Sequence, residues 1–444
     1  MTLEPKPLIQ IISEEEFLIL VQEASIGFFK AFNAFKEWPR HRGEITRKFY
    51  SNLIQEAELF ESFLDEHGAR ENKTWARFTE YVASIRNLVK AGFFIRHLVD
   101  RYPFYHLRDS DEMKSRFFSD ASEALAFIDR SVLNLYEECI DEARKNHLVV
   151  LPDSIDPEEF SEIEVNKRLP KNTKDEEVLD QEDRIIDLLE KMNTVARLME
   201  DLNVVPTRDV GELKRLVPNR IDEKSTRNLM NLVHSIQSEF DTYIKSTPIE
   251  QKHESLKHLR GYISVPLHLL EAMIWLIHFY ERHEDEIRKG EAKLVISSRV
   301  NKAELLSHIV NFCYFYSLCY VREGLKLSNE ILATFVKTVR YELPVPDPLG
   351  FHARPSTYVS LIVRRYDADA WLIVDGEKYD ARSVMSLLQA GGVLADKGYR
   401  TAVFEGDKRI LDDLKILAEH NYCEETGIPD QLAYLRTERN SQET

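Results

Sequence analysis

Two short motifs near the C-terminal end carry the residue types best suited to chemistry: Gly350-Phe351-His352-Ala353-Arg354-Pro355 and Ala381-Arg382-Ser383-Val384-Met385. His352 stands just before an Arg-Pro pair of the kind that opens a helix. Proline in a first turn fixes φ and gives up an N–H that has no helical partner there. The remaining free N–H groups of that turn, with the helix dipole, favour an anion at the same end. Arg354 adds a permanent cation whose fork of donors matches phosphate oxygens. A histidine titrates near neutrality, so a neutral ring nitrogen is at hand as a nucleophile. The chemistry these residues suit is acceptance of a phosphoryl group on His352, with Arg354 steadying it.

The elements around the motifs follow an order of their own. A strand-like stretch, Val339 to Val345, leads into the first motif, and Val359, Ile362, Val363 and Tyr366 follow at helical spacing. Then come a strand, Ala370 to Val374, a turn at Asp375-Gly376, and the second motif with Leu388 one turn on and Gly391-Gly392 ending its helix. A strand near Thr401 to Phe404, a turn at Glu405-Gly406-Asp407 and a helix through Leu411, Leu414 and Leu417 complete the series. His352 and Ser383 are 31 positions apart (383 − 352 = 31).

From about Thr338 to Tyr422 this pattern resembles HPr, the histidine-containing phosphocarrier of the bacterial phosphoenolpyruvate-dependent sugar phosphotransferase system. The histidine-to-serine spacing matches that family's. The resemblance implies a βαββαβα open-faced sandwich in which His352 is phosphorylated by enzyme I and Arg354 helps hold the phosphate. It implies that Ser383 is where HPr kinase/phosphorylase acts, and that Phe351, Val384, Met385 and Leu388 dock partners. Downstream phosphoryl acceptors or regulators are implied as well, and no cofactor is. Three residues depart from the family pattern: Leu349 replaces a small polar residue, Phe351 a smaller aliphatic one, and Arg382 a lysine. The stretch between Gly398 and Glu405 is slightly short. Ser383 equally suits a purely structural helix cap, and the apolar residues after it suit a core.

The 444-residue chain is 43% hydrophobic and 30% charged, as expected for a globular protein of two or three domains. Its net charge of −17 argues against a general nucleic-acid binder. The first residues lack a basic segment ahead of an apolar run, so no signal peptide is expected. The longest apolar run, Ile309 to Val321, is interrupted by Asn311 and Ser317 and falls short of a membrane span. Membrane insertion is therefore not expected. Cys139, Cys313, Cys319 and Cys423 lack a CxxC pair and are expected as reduced core residues of a cytoplasmic protein.

The region ahead of the motifs reads as helical almost throughout. Ser13 with Glu16 caps a helix running to about Trp38, and further helices are expected near 43–66, 73–101, 111–146, 176–202, 222–246, 265–288 and 301–335. Antiparallel helical bundles are the expected architecture. The expected domains are a helical region over 1–335, with a subdivision near 147–175 marked by Pro152, Pro157 and Pro170, the HPr-like module over 336–423, and a polar tail over 424–444. His268, His278 and His283, near Glu281, Glu284 and Asp285, share one helical stretch but lack the repeated Glu-x-x-His pairs of a metal bundle, so no metal site is expected.

Alternation in the second strand turns Ala370 and Leu372 toward the helices, and Trp371 and Ile373 toward the open face. Trp371 is thus a candidate for packing against the helical region or a partner. The expected function is a multidomain phosphocarrier or regulator rather than a turnover enzyme. The alternative is an interaction module that docks partners without phosphotransfer.

Overall fold

The structure, a computed structural model, describes residues 10–41, 44–161, 167, 169–170, 181–284, 291–335, 338–366, 368–424 and 427–435. It divides into two compact units, Met1–Ile331 and Leu332–Thr444.

The first unit is helical. Its elements are α1 (Glu14–Ala24), α2 (Ile26–His41), α3 (Arg47–Glu66), α4 (Ala76–Arg101), α5 (Asp111–Lys145), α6 (Gln181–Asp201), α7 (Val210–Leu216), α8 (Glu223–Tyr243), α9 (Pro248–Lys252), α10 (Ser255–Phe279), α11 (Glu291–Arg299), α12 (Lys302–Ser307) and α13 (Phe315–Phe335). Ser13 caps α1, accepting from the Glu16 N–H at 3.1 Å. The single helix expected from Ser13 to Trp38 is broken at Ser25. The buried Ser25 hydroxyl donates to the Gln22 carbonyl at 3.1 Å, and the chain bends by 52° there.

α4 lies at the centre, packed against α3, α5 and α10. Phe78, Val82, Ile85, Leu88, Val89 and Ile95 bury its faces. α10 starts ten residues before the expected 265, because Leu256 and Leu259 extend its apolar surface, and Pro266 sits inside the helix. Buried along most of its length, with a half-buried polar stripe through Arg260, His268, Glu271 and His278, it is the core helix of the bundle. Ser255–His283 is long and apolar enough to cross a membrane by length and composition, so Ile309 to Val321 is not the limiting run, yet 78% of that window is buried inside the protein. Two π-helical turns, Tyr280–Glu284 and His308–Tyr314, interrupt the stretches expected to be continuous. Asp285 lies outside the described residues.

The expected subdivision near 147–175 does not divide the bundle, since α4 from before the break packs against α10 from after it. The described part of that segment is strapped to the first helices. Gln22 pairs with both backbone groups of Val149 at 2.8 Å, and Asn33 donates to the Leu151 and Asp153 carbonyls at 2.9 Å. The Phe160 ring packs 5.1 Å from that of Phe49. Beneath α4, Tyr50 donates to Asp129, whose carboxyl is pushed from 3.8 up to about 7 by burial.

The second unit is α+β: β1 (Thr338–Pro344), α14 (Ala353–Arg365), β2 (Ala370–Val374), β3 (Glu377–Asp380), α15 (Val384–Lys397), β4 (Thr401–Asp407) and α16 (Lys408–Glu419). The strands form one antiparallel sheet in the order β1-β4-β2-β3, with Phe404 of β4 opposite both Tyr341 and Leu372. Ala370, Leu372 and Val374 are buried, while Trp371 and Ile373 alternate with them and are half-buried. Val359, Ile362, Leu387, Leu394, Leu411 and Leu414 fill the layer between sheet and helices. This is the expected open-faced βαββαβα arrangement.

Two boundaries differ from expectation. Leu432 and Leu435 are fully buried in the same core, so packed structure continues into the segment expected as a polar tail. Gly391-Gly392 does not end its helix: α15 runs on to Lys397 and is capped by the left-handed Gly398. Gly391 is small because a Cβ there would lie 2.7 Å from the Phe351 carbonyl oxygen, whereas a Cβ on Gly392 would meet nothing.

The two adjacent glycines should therefore respond with opposite sign. Gly392→Ala should stabilise α15 by about 0.5–1 kcal/mol through helix propensity. Gly391→Ala should destabilise it by about 1–2 kcal/mol, the clash outweighing the same propensity gain. Hydrogen-exchange protection of the α15 amides reads both, and equal protection in the two variants would contradict the packing. In the helical unit, a carboxyl with a raised folded pKa stabilises fully below its unfolded value, 3.8 for Asp129, and that contribution is lost as pH rises toward about 7. Asp129→Asn, which keeps an acceptor for Tyr50, should flatten the decline in urea stability across that window.

Candidate functional site

The loop from β1 to α14 places His352. It leaves the sheet with the Val345 N–H donating to the Arg400 carbonyl at 2.9 Å. It then closes on itself through Gly350 N–H to the Pro346 carbonyl at 2.8 Å. Gly350 has φ +67°, a left-handed conformation that glycine adopts without steric cost. This reversal drives Phe351 inward and leaves His352 at the N-cap of α14 with extended backbone.

Phe351 is only 3% exposed, its ring 6.0 Å from that of Phe404 and 5.3 Å from that of Tyr422. It is core, not a docking residue as the resemblance implied, because the Gly350 turn aims it between sheet and helices.

The His352 side chain is 34% exposed. Its carbonyl accepts from the Ser356 N–H at 3.2 Å, and its Nδ1 accepts from the Arg354 N–H at 3.5 Å. Nδ1 thus faces the free N–H groups of the first helical turn. Pro355, buried in that turn, supplies no N–H and loses none that the helix would use. Arg354 is exposed, and its Nη1 donates to the Glu424 carbonyl at 3.5 Å. The opposite ring atom, Nε2, is closed off from solvent and lies 3.1 Å from Glu424 Oε2. Its alignment is not that of a hydrogen bond, so the pairing in this conformation is electrostatic.

Glu424 was expected in a polar tail, and no motif signals it. It is delivered by Asn421, Tyr422 and Cys423, three successive non-glycine residues with φ of +47°, +52° and +61°. Such conformations cost energy and persist only where the surroundings impose them. The imposing contacts are visible. The buried Tyr422 hydroxyl donates to the Pro344 carbonyl at 2.8 Å, and the Asn421 amide pairs with both backbone groups of Asp347 at 2.7 and 2.9 Å. Burial pushes the Cys423 thiol up, against the opposing pull of the Arg354 charge.

Ser383 caps α15, its Oγ accepting from the Ser386 N–H at 3.3 Å. The Arg382 carbonyl accepts from Ser360 Oγ at 2.6 Å, tying the second motif to α14. Met385 is 66% exposed, with Val384 and Leu388 half-buried, while Leu387 between them enters the core. Leu349, on the His352 loop, is also exposed.

In the helical unit the three candidate histidines take separate carboxylate partners. His268 pairs with Glu271 at 2.8 Å, His278 with Glu223 at 2.8 Å and the buried His283 with Glu80 at 2.6 Å. Burial lowers the His278 imidazole despite its carboxylate neighbour. A cavity of about 420 Å³ is lined by Arg116, Asp120, Thr207, Arg208, His308 and Asn311. Sequence patterning gave no sign of it, because its lining comes from distant segments.

The family model described as the PTS HPr component phosphorylation site matches residues 339–397, from β1 to the end of α15. The helical region has no family match, and neither the curated proteins nor the solved structures contain a match to the chain. The match implies a phosphocarrier-type function for this part of the chain rather than that of a turnover enzyme. The C-terminal part of the chain therefore carries an HPr domain of the phosphotransferase system, appended to a helical region of different fold.

Proposed function

We propose that the chain is a multidomain phosphocarrier or regulator that accepts a phosphoryl group on His352. The observation that carries this reading is the placement of His352 Nδ1 toward the first turn of α14, within a matched HPr domain. In the step, the Nδ1 lone pair attacks phosphorus, the bond to the donor's leaving atom breaks, and the donor departs with that electron pair. The transferred oxygens gain the first-turn N–H groups and the helix dipole, with Arg354 as the adjacent cation.

The donor is the phosphohistidine form of enzyme I, and the group is then passed to an acceptor or sensed by the helical region. Ser383 is the regulatory position. A phosphate there adds about two negative charges at the edge of the surface formed by Val384, Met385 and Leu388, weakening acidic partners. HPr kinase/phosphorylase would place it. The four free cysteines are compatible with a cytoplasmic site of action.

Incubation with phosphoenolpyruvate and enzyme I should place an acid-labile phosphate on the wild-type chain and none on His352→Ala. No label on the wild type, or equal label on the variant, would reject the carrier. Partner binding unchanged in His352→Ala would favour a docking module instead. Ser383→Asp retains a capping oxygen, so the fold should hold. Its added charge should slow transfer from enzyme I several-fold, as read from the initial rate of labelling, and an unchanged rate would remove Ser383 from the regulatory role.

A further inference from the structure

The cavity of about 420 Å³ in the helical unit lies outside the matched residues 339–397 and outside both motifs. We infer that it binds a free α-amino acid, with Arg116 and Arg208 taking the carboxylate and Asp120 and Glu123 the ammonium group. All four residues lie in the first unit, and none takes part in the carrier chemistry at His352.

The cavity is held open by specific bonds. α5, the loop from Pro206 to Arg208 and the π-helical turn His308–Tyr314 each contribute to its lining, and its volume is that of a small-ligand site. Asn311 pins the loop to the turn. Its amide donates to the Thr207 carbonyl at 3.0 Å and to Ser307 Oγ at 2.9 Å, and its side-chain oxygen accepts from the Thr207 N–H at 3.0 Å. π-Helical turns are rare and recur at functional sites.

The charged groups on the lining are largely uncommitted. Among the described residues, the Arg208 and Glu123 side chains have neither a hydrogen bond nor an ion pair. Arg116 Nε stands 3.9 Å from Asp120 Oδ2, beyond hydrogen-bond distance, and its guanidinium lies 5.5 Å from the centre of the Phe315 ring. Asp120 Oδ2 accepts from the buried Tyr316 hydroxyl at 2.6 Å, which leaves Oδ1 for another donor. The chain has 76 acidic residues against 59 basic ones, so two arginines at one cavity without a hydrogen-bonded carboxylate point to an incoming anionic group. Burial pushes the His308 imidazole from 6.5 down to about 4, so near pH 7 it adds a donor and an acceptor but no charge.

Charge balance selects the ligand. Two guanidiniums and two carboxylates line the space, so a simple anion meets repulsion from Asp120 and Glu123, and a simple cation meets it from the arginines. A zwitterion escapes both penalties. Arg116 and Asp120 are four residues apart on one face of α5, about 6 Å along the axis. An α-amino acid carries its carboxylate and its ammonium on one carbon, so a single molecule reaches both turns. Pro206, Phe312 and Phe315 supply apolar surface beside them.

The full-length chain is tested with each of the common L-amino acids at millimolar concentration, and with acetate, inorganic phosphate and ethylamine as single-charge probes. One or a few amino acids should raise the thermal unfolding midpoint of the helical signal by several degrees, and the single-charge probes should not. Calorimetry with the strongest binder should show about tenfold weaker binding for Arg208→Ala and for Glu123→Gln, as loss of one charge-assisted contact predicts. Both side chains are exposed and bond to nothing among the described residues, so both variants should fold as the wild type does.

Binding of none of the amino acids, or an equal response to any single-charge probe, would overturn the inference. So would an amino acid that binds both variants as tightly as the wild type, since it would then sit elsewhere.

Discussion

The candidate site depends on an anchor one residue away from the His352 ring. An exposed imidazole at a helix N-cap would ordinarily sample many rotamers. Here Phe351, immediately before it, is locked between sheet and helices, and that burial fixes where the backbone of His352 can be. Each neighbouring feature serves the same constraint. Gly350 makes the reversal that sends one side chain in and the next one out. Gly391 lets α15 approach the Phe351 carbonyl. Tyr422 closes the pocket from the other side and also bonds to the end of β1. The geometry of the candidate site is thus a consequence of core packing, with the motif supplying its outermost atoms.

The same economy extends to the C-terminal segment. Asn421 holds the loop that precedes His352 and Tyr422 the end of the strand leading into it, so the strap braces the site mechanically while Glu424 touches it electrostatically. In the helical unit, order comes from a different source. α10 is buried along most of its surface and α4 lies against three helices, so both are set by burial. His268 and His278 of α10 and His283 of the π-helical turn after it are each tied to a carboxylate, two of these carboxylates from other helices.

The legibility of the sequence followed the range of the forces involved. Strand alternation through Ala370, Trp371 and Leu372 is a local signal and reads correctly. So does the cap at Ser13, where a side chain bonds three residues ahead. Gly391-Gly392 misleads because local rules treat paired glycines as a helix end. The true reason for Gly391 is a contact with Phe351, distant in sequence. Phe351 misleads for the complementary reason, since only the left-handed turn at Gly350 decides which way it points. α10 begins well before its expected start at 265, since tertiary burial holds Pro266 within the helix. Glu424 could not be found at all, because nothing about one glutamate reveals that the three residues before it turn left-handed.

We propose that this packed loop carries a phosphoryl group on one nitrogen of one histidine. The most direct measurement is the ³¹P spectrum of the protein isolated from its own cells and kept at alkaline pH, followed by peptide mapping. The expected result is a phosphoramidate resonance, lost on acidification, whose peptide contains His352 phosphorylated at Nδ1. A phosphoryl group found only on other residues, or a His352 peptide unmodified while other phosphohistidines in the same extract survive, would contradict it.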